Sequence, residues 1–228
     1  MLIYVKNTTF PGLLDLIAPH SCRGCGHIGS PLCECCKKYI LKQKVEICPN
    51  CKRPKTVAKC SHCKNLPPTH ILGYRQGLLD TLIQDYKYHS VRTLSYTFAE
   101  LLTSILPDNL PKNTHLVPLP TIHRHIRARG LNHTVLIAKR LAKLKRYSYS
   151  PILERANNTV QVGSDKTARK IQAETAYTVS KTAKIDPAAT YILFDDVWTT
   201  GASMKSATKK LREAGAKNII ILIIALSD

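Results

Sequence analysis

Two sets of residues in this 228-residue chain are spaced for chemistry. The first is a run of cysteines. Cys22-x-x-Cys25, Cys33-x-x-Cys36, Cys48-x-x-Cys51 and Cys60-x-x-Cys63 leave only Cys35 of the nine cysteines unassigned. A Cys-x-x-Cys turn aims two thiolates at one metal, and two such turns close a tetrahedral site with no position open to substrate. The expectation is therefore about two structural zinc ions. The Cys25–Cys33 gap nearly equals the Cys51–Cys60 gap, so sequential zinc ribbons are the simplest arrangement. A cross-braced arrangement, first pair with third and second with fourth, fits the spacing too. His20, His27 and His62 lie nearby, but four complete thiolate pairs leave them no vacancy.

The second set is the stretch Ile192–Met204, ILFDDVWTTGASM. An apolar run ends in Asp195 and Asp196, and Thr199, Thr200, Gly201, Ala202 and Ser203 follow. Backbone N–H groups of such a turn, leading into a helix N-terminus, wrap a phosphate; the hydroxyls add donors and Gly201 permits close approach. Carboxylates are no use to a phosphate. They suit the hydroxyls of a neighbouring sugar or a divalent cation. A phosphate cradle beside a diol grip describes a ribose 5-phosphate site.

These residues need a scaffold, and the hydrophobic pattern supplies one. Leu79, Leu82, Ile83 and Tyr86, then Phe98, Leu101, Leu102 and Ile105, recur at helical spacing. His115–Pro120 reads as a short strand, Asn132–Arg146 as a strongly basic helix, and Ser203–Ala214 as a helix between two apolar runs, Tyr191–Asp195 and Ile219–Leu226. Continuous apolar runs are how strands buried on both faces look. Helices alternating with such strands imply a parallel α/β sheet, whose ligands bind beyond the carboxyl ends of the strands. The Pro-Pro stretch 64–70 separates the cysteine-rich segment from a chain without cysteine. The expected division is 1–69, an N-terminal helix and double zinc ribbon, and 70–228, the α/β domain.

Charge narrows the partner. Thirty-four Lys and Arg against fifteen Asp and Glu give +19, far beyond what solubility needs, and point to a polyanion. No apolar run reaches bilayer length, and the N-terminus has no signal-peptide pattern, so a cytoplasmic protein without membrane insertion is expected. Cysteines in that compartment are metal ligands rather than a disulfide framework.

The apolar run, two acids, two apolar residues and Thr-Gly loop resemble the 5-phosphoribosyl 1-pyrophosphate (PRPP) motif of type I phosphoribosyltransferases. That resemblance implies a type I phosphoribosyltransferase-like parallel sheet flanked by helices, with Asp195 and Asp196 on the ribose hydroxyls and Thr199–Ser203 on the 5′-phosphate. With GLLDLIAPHSCRGC, the VPLP strand end and RHIRARGLNHTVLIAKRLA, essentially the whole chain is similar to the ComF/ComFC family, associated with DNA uptake in natural transformation. The family's Arg-x-Arg-Gly-Phe-Asn element matches 127–132, which implies Arg127 and Arg129 at the PRPP site and puts Leu131 where Phe is usual. Its hood maps onto Arg155, Gln161 and Arg169, with Gln172 and Tyr177 in place of Asn and Phe.

Thr199 stands where many nucleobase-handling relatives carry an Asp, so the usual general acid/base is missing and no catalytic residue is named. Pyrophosphate contacts are expected from the backbone of Leu119–Thr121 with Arg124, Arg127 and Arg129, in the presence of magnesium. The expected role is a DNA-uptake accessory protein that binds incoming single-stranded DNA, with a helicase-like ATPase and an inner-membrane DNA channel as partners implied by the family. The alternative is an active phosphoribosyltransferase on a nucleobase-like acceptor. For DNA, the candidate residues are Lys139, Arg140, Lys143, Lys145 and Arg146, Lys205, Lys209, Lys210 and Arg212, and the lysines and arginines of the zinc segment. Tyr86, Tyr88, Tyr147 and Tyr149 are candidates for base stacking.

Overall fold

The structure, a computed structural model, describes residues 20–43, 45–54, 59–89, 91–121, 132–155 and 176–227. The expected N-terminal helix, Arg124, Arg127, Arg129, Gln161, Arg169 and Gln172 lie outside them.

The centre is a five-stranded, all-parallel sheet in the order β1-β7-β6-β2-β3. Its strands are β1 (Thr69–Tyr74), β2 (Thr114–Pro118), β3 (Ser148–Tyr149), β6 (Thr190–Trp198) and β7 (Asn218–Leu226). A two-stranded antiparallel pair stands apart: β4 (Leu153–Arg155) and β5 (Tyr177–Val179). The helices are α1 (Glu34–Lys42), α2 (Gly77–Tyr88), α3 (Leu94–Thr103), α4 (His133–Lys145) and α5 (Ala202–Glu213). No helix among the described residues is long and apolar enough to cross a membrane.

Alternation along the strands sorts the core into two layers. Leu116, Ile192, Phe194, Leu222 and Ile224 face one way, onto α2, α3 and α4. Val117, Tyr191, Leu193, Ile221 and Ile223 face the other, onto Met204, Ala207 and Leu211 of α5. Because β6 and β7 are covered on both sides, their middles, Ile192–Phe194 and Ile219–Leu226, are apolar throughout. Truncating a wholly buried side chain here, such as Leu82 or Leu193, would cost about 2–5 kcal/mol.

The cysteine segment is built into these layers. Cys22, Leu32, Cys36 and Ile40 join the α2–α4 layer, while Cys48, Cys60 and Leu66 join the α5 layer. β1 starts at Thr69, directly after Pro67 and Pro68 and within the stretch 64–70.

The basic helix α4 has the ends its sequence announced. Asn132 caps it, its side chain accepting from the Val135 N–H at 3.3 Å, and Arg146 closes it in the left-handed region at φ 57°. Tyr86 is buried and its hydroxyl donates to the His133 carbonyl at 2.9 Å, so it is a core residue and not a stacking surface.

Candidate functional site

The two aspartates lie inside β6, not after it. The strand was expected to stop at Asp195, but Val197 and Trp198 still pair with Ala225 and Leu226 of β7. A long parallel partner keeps the ladder running, so the acids are held by sheet backbone. Asp196 faces the α2 side, where its Oδ2 is 2.6 Å from the Lys87 ammonium, both side chains being largely buried. Asp195 points to the other side, where its charge is felt at the Tyr177 hydroxyl. Its Oδ1 accepts from the Asp196 N–H at 2.9 Å.

Burial pushes the Asp195 carboxyl up to about 8, and the adjacent Asp196 charge pushes in the same direction; the Asp196 N–H and Lys87 only partly offset them. Lys87 was not among the expected site residues. It sits in the last turn of α2, in the crossover between β1 and β2, and only the three-dimensional path of that crossover brings it to β6.

After Trp198 the chain turns at Thr199 and Thr200 into Gly201, which precedes α5 with φ +72°. A Cβ at Gly201 would lie 2.2 Å from the Trp198 ring, so both the backbone angle and the indole demand glycine. Thr200 Oγ1 accepts from the Ala202 N–H at 3.3 Å. Thr199, Thr200 and Ser203 are exposed. The expected phosphate loop thus stands at the carboxyl end of the sheet, at the start of a three-turn helix.

The β4–β5 pair borders this loop. Tyr177 in β5 interacts with Ser203, and Arg155 in β4 lies 5.3 Å from the Tyr177 ring centroid, its Nη1 donating to the hydroxyl at 3.4 Å. Beside it opens a cavity of about 410 Å3 lined by Pro118–Thr121, Asn132 and Leu153–Arg155 among others. Of the backbone donors expected here, Leu119 N–H is already bonded to the Phe194 carbonyl at 2.9 Å, and proline has no N–H. Thr121 is left.

The cysteines form two groups, Cys22/Cys25/Cys33/Cys36 and Cys48/Cys51/Cys60/Cys63, each with all Sγ atoms within 4.8 Å of one another. The pairing is therefore sequential, not cross-braced. Sγ separations of 3.6 Å (Cys25–Cys33), 3.9 Å (Cys48–Cys63) and 3.7 Å (Cys51–Cys60) match the edge of about 3.8 Å for tetrahedral thiolates 2.3 Å from zinc. Cys35 is exposed and belongs to neither group. Burial works to raise the Cys22 thiol, but the N–H groups of Cys33 and Gly24 outweigh it and bring it to about 6. Cys60 falls to about 7, where N–H donation from His62 again overcomes burial. Burial pushes Cys36 and Cys48 the other way, so in each group one thiol ionises ahead of its neighbours.

The first group is clamped to α2. A Cβ at Gly24 would meet Cys36 Sγ at 2.7 Å and Leu78 at 2.9 Å, and Arg23 Nε is 3.1 Å from Asp85 Oδ2. Asp85 lies half a turn before Lys87, so this cysteine group and Asp196 grip the same end of one helix.

On α4, the Arg140 guanidinium lies 3.3 Å from the Tyr96 ring centroid and donates to the Arg92 carbonyl at 3.1 Å; the Lys139 ammonium is 5.4 Å from the Tyr149 ring. These two cations, expected to meet DNA, already have partners within the protein.

No family model matches the chain. Among curated proteins it is 28% identical to competence protein F of Haemophilus influenzae over 214 residues, spanning 87% of this chain and 92% of that protein. It is 26% identical to competence protein ComFC of Streptococcus pneumoniae over 218 residues, 92% of this chain and 90% of that one. For ComFC of Bacillus subtilis the figures are 28% over 200 residues, 81% and 79%. Among solved structures, glutamine PRPP amidotransferase from B. subtilis, complexed with ADP and GMP, superposes with a TM-score of 0.44 at 14% identity, over 61% of this chain and 30% of that one.

Proposed function

We propose that this chain, a member of the ComF/ComFC competence family, is a cytoplasmic DNA-uptake accessory protein that handles incoming single-stranded DNA with a phosphoribosyl-type site. The observation that carries the reading is the junction of β6 and α5. There, two sheet-held carboxylates adjoin a left-handed glycine and a hydroxyl-bearing turn at a helix start. Thr199, Thr200 and Ser203 with the α5 N-terminus would take a phosphate, and Asp195 and Asp196 the hydroxyls of the attached sugar. Magnesium, when bound, would neutralise a pyrophosphate there. The two cysteine groups would each hold one structural zinc. A DNA-translocating ATPase and a membrane channel are the partners that such a role requires.

Calorimetry with ribose 5-phosphate tests the site. Wild type should bind, and a folded Asp195→Ala/Asp196→Ala double variant should not; unchanged affinity in the variant overturns the phosphoribosyl assignment. Fluorescence anisotropy of a labelled oligonucleotide, with and without PRPP and magnesium, tests the DNA part separately.

A second reading, phosphoribosyl transfer to an acceptor, is favoured by the cavity of about 410 Å3 next to the loop, bordered by Asn132 and Arg155. It requires pyrophosphate release from PRPP that depends on the acceptor and is lost in the same double variant.

A further inference from the structure

A second, larger cavity of about 730 Å3 lies between the second cysteine group and the flank of α5. One wall is α5, which presents Lys205, Lys209 and Arg212, all exposed. The other is the chain leaving the cysteine group, with Lys64 exposed and Leu66 and Pro67 buried beneath. Arg212 Nη1 donates to the Asn65 carbonyl at 3.0 Å, which fixes the two walls relative to each other. Glu213 is the acid of this lining, and its carboxylate is held by Lys210 at 2.7 Å, with Lys209 at 4.0 Å.

We infer that this cleft is where a nucleic-acid single strand lies, gripped by its phosphates; the inference rests on the single-strand reading above and gives the strand a place. The positions 205, 209 and 212 follow one helical face, with Lys205 and Lys209 about 6 Å apart along the axis. That is a ladder of point charges facing Lys64, suited to successive phosphates. The lining has no Phe, Tyr or Trp, and only the His62 ring and the Arg212 guanidinium offer a base a planar surface, so the grip is mainly on the backbone. An acidic protein segment fits less well, because acidic motifs are taken by clustered arginine forks, and the one arginine of this lining is already bonded to the Asn65 carbonyl. The cleft also adjoins the proposed phosphate loop by way of α5, since Lys205 is one turn beyond Gly201.

The test is anisotropy of labelled oligo(dT) on zinc-loaded full-length protein across a salt series. Lys205→Ala/Lys209→Ala should weaken binding about tenfold at low salt. It should also flatten the slope of log affinity against log salt by about 1.4, which is about 0.7 for each phosphate no longer neutralised. Lys205→Arg/Lys209→Arg should restore both, and Lys139→Ala/Lys143→Ala should change neither appreciably. If the α4 variant loses binding while the α5 variant keeps it, the placement is overturned and the single-strand reading stands. If wild type binds no oligonucleotide at low salt, both fall. Tighter binding of a duplex, or equal competition by polyglutamate of matched charge, also overturns the cleft as a single-strand site.

Discussion

The two faces of the sheet carry cysteine groups of nearly the same spacing in different employment. On the α2–α4 face the first group is packed with Leu32, Ile40 and Leu72, and Arg23 reaches Asp85 on the helix that delivers Lys87 to Asp196. On the α5 face the second group is packed with Leu66, Val117 and Leu211 and borders the basic cleft. Even the two acids divide, Asp196 toward the first face and Asp195 toward the second. A repeat in sequence therefore gives two staples of one sheet, one behind Asp196 and one behind the basic cleft.

The largest effects should come from breaking each staple. Cys36→Ser and Cys48→Ser should each lose one of two metal equivalents by elemental analysis, and each should destabilise the chain by several kcal/mol, since structural zinc binding is folding energy. Where they should differ is in the ligand whose binding suffers. The first-face change should weaken ribose 5-phosphate binding, through α2 and Lys87, while the second-face change should weaken oligonucleotide binding. Equal weakening toward both ligands in both variants would dissolve the distinction.

An intermediate effect compares the acids. Burial raises the Asp195 pKa from 3.8 to about 8, so the native state keeps a proton that the unfolded chain has released. Stability supplied by that proton is complete below the unfolded pKa and declines as pH rises toward about 8. Asp195→Asn should therefore remove the decline and leave the variant a few kcal/mol more stable than wild type at pH 8, the difference fading toward pH 4. Asp196→Asn should do the opposite, costing about 1–3 kcal/mol at neutral pH, because Lys87 loses its partner in a largely buried place. Thermal melts of both variants across pH read this directly.

The smallest effect should follow from Glu100→Gln. Lys37 of α1 is 2.7 Å from Glu100 on α3, but that carboxylate is half exposed and Glu34 is a second partner. Loss of less than about 1 kcal/mol is expected in a denaturant titration.

Much of this architecture is legible in residue order because it is set by local pattern. The unbroken apolar runs of β6 and β7 announce two-sided burial, the i, i+3, i+4 stripe of Leu79, Leu82, Ile83 and Tyr86 announces α2, and Asn132 announces the start of α4. The thiolate grouping needed only a choice between two pairings. What local pattern does not encode is the meeting of distant segments. Lys87 reads as an ordinary helix cation until the crossover carries it to Asp196. The extra length of β6 depends on what β7 offers opposite Val197 and Trp198, and the cleft is framed by two segments far apart in sequence that Arg212 and Asn65 join. Leu119 looked like a free backbone donor for a similar reason: its acceptor, the Phe194 carbonyl, is supplied by another strand.

The packing of Trp198 on Gly201 has a practical consequence. It is the only tryptophan in the chain, it is almost wholly buried, and its indole N–H has no hydrogen-bond partner among the described residues. Its emission should be blue-shifted, and when it is excited selectively over the tyrosines the signal would come from a ring lying against the loop that precedes α5. The protein thus contains its own fluorophore for that loop, and ligand entry there can be followed without attaching a label.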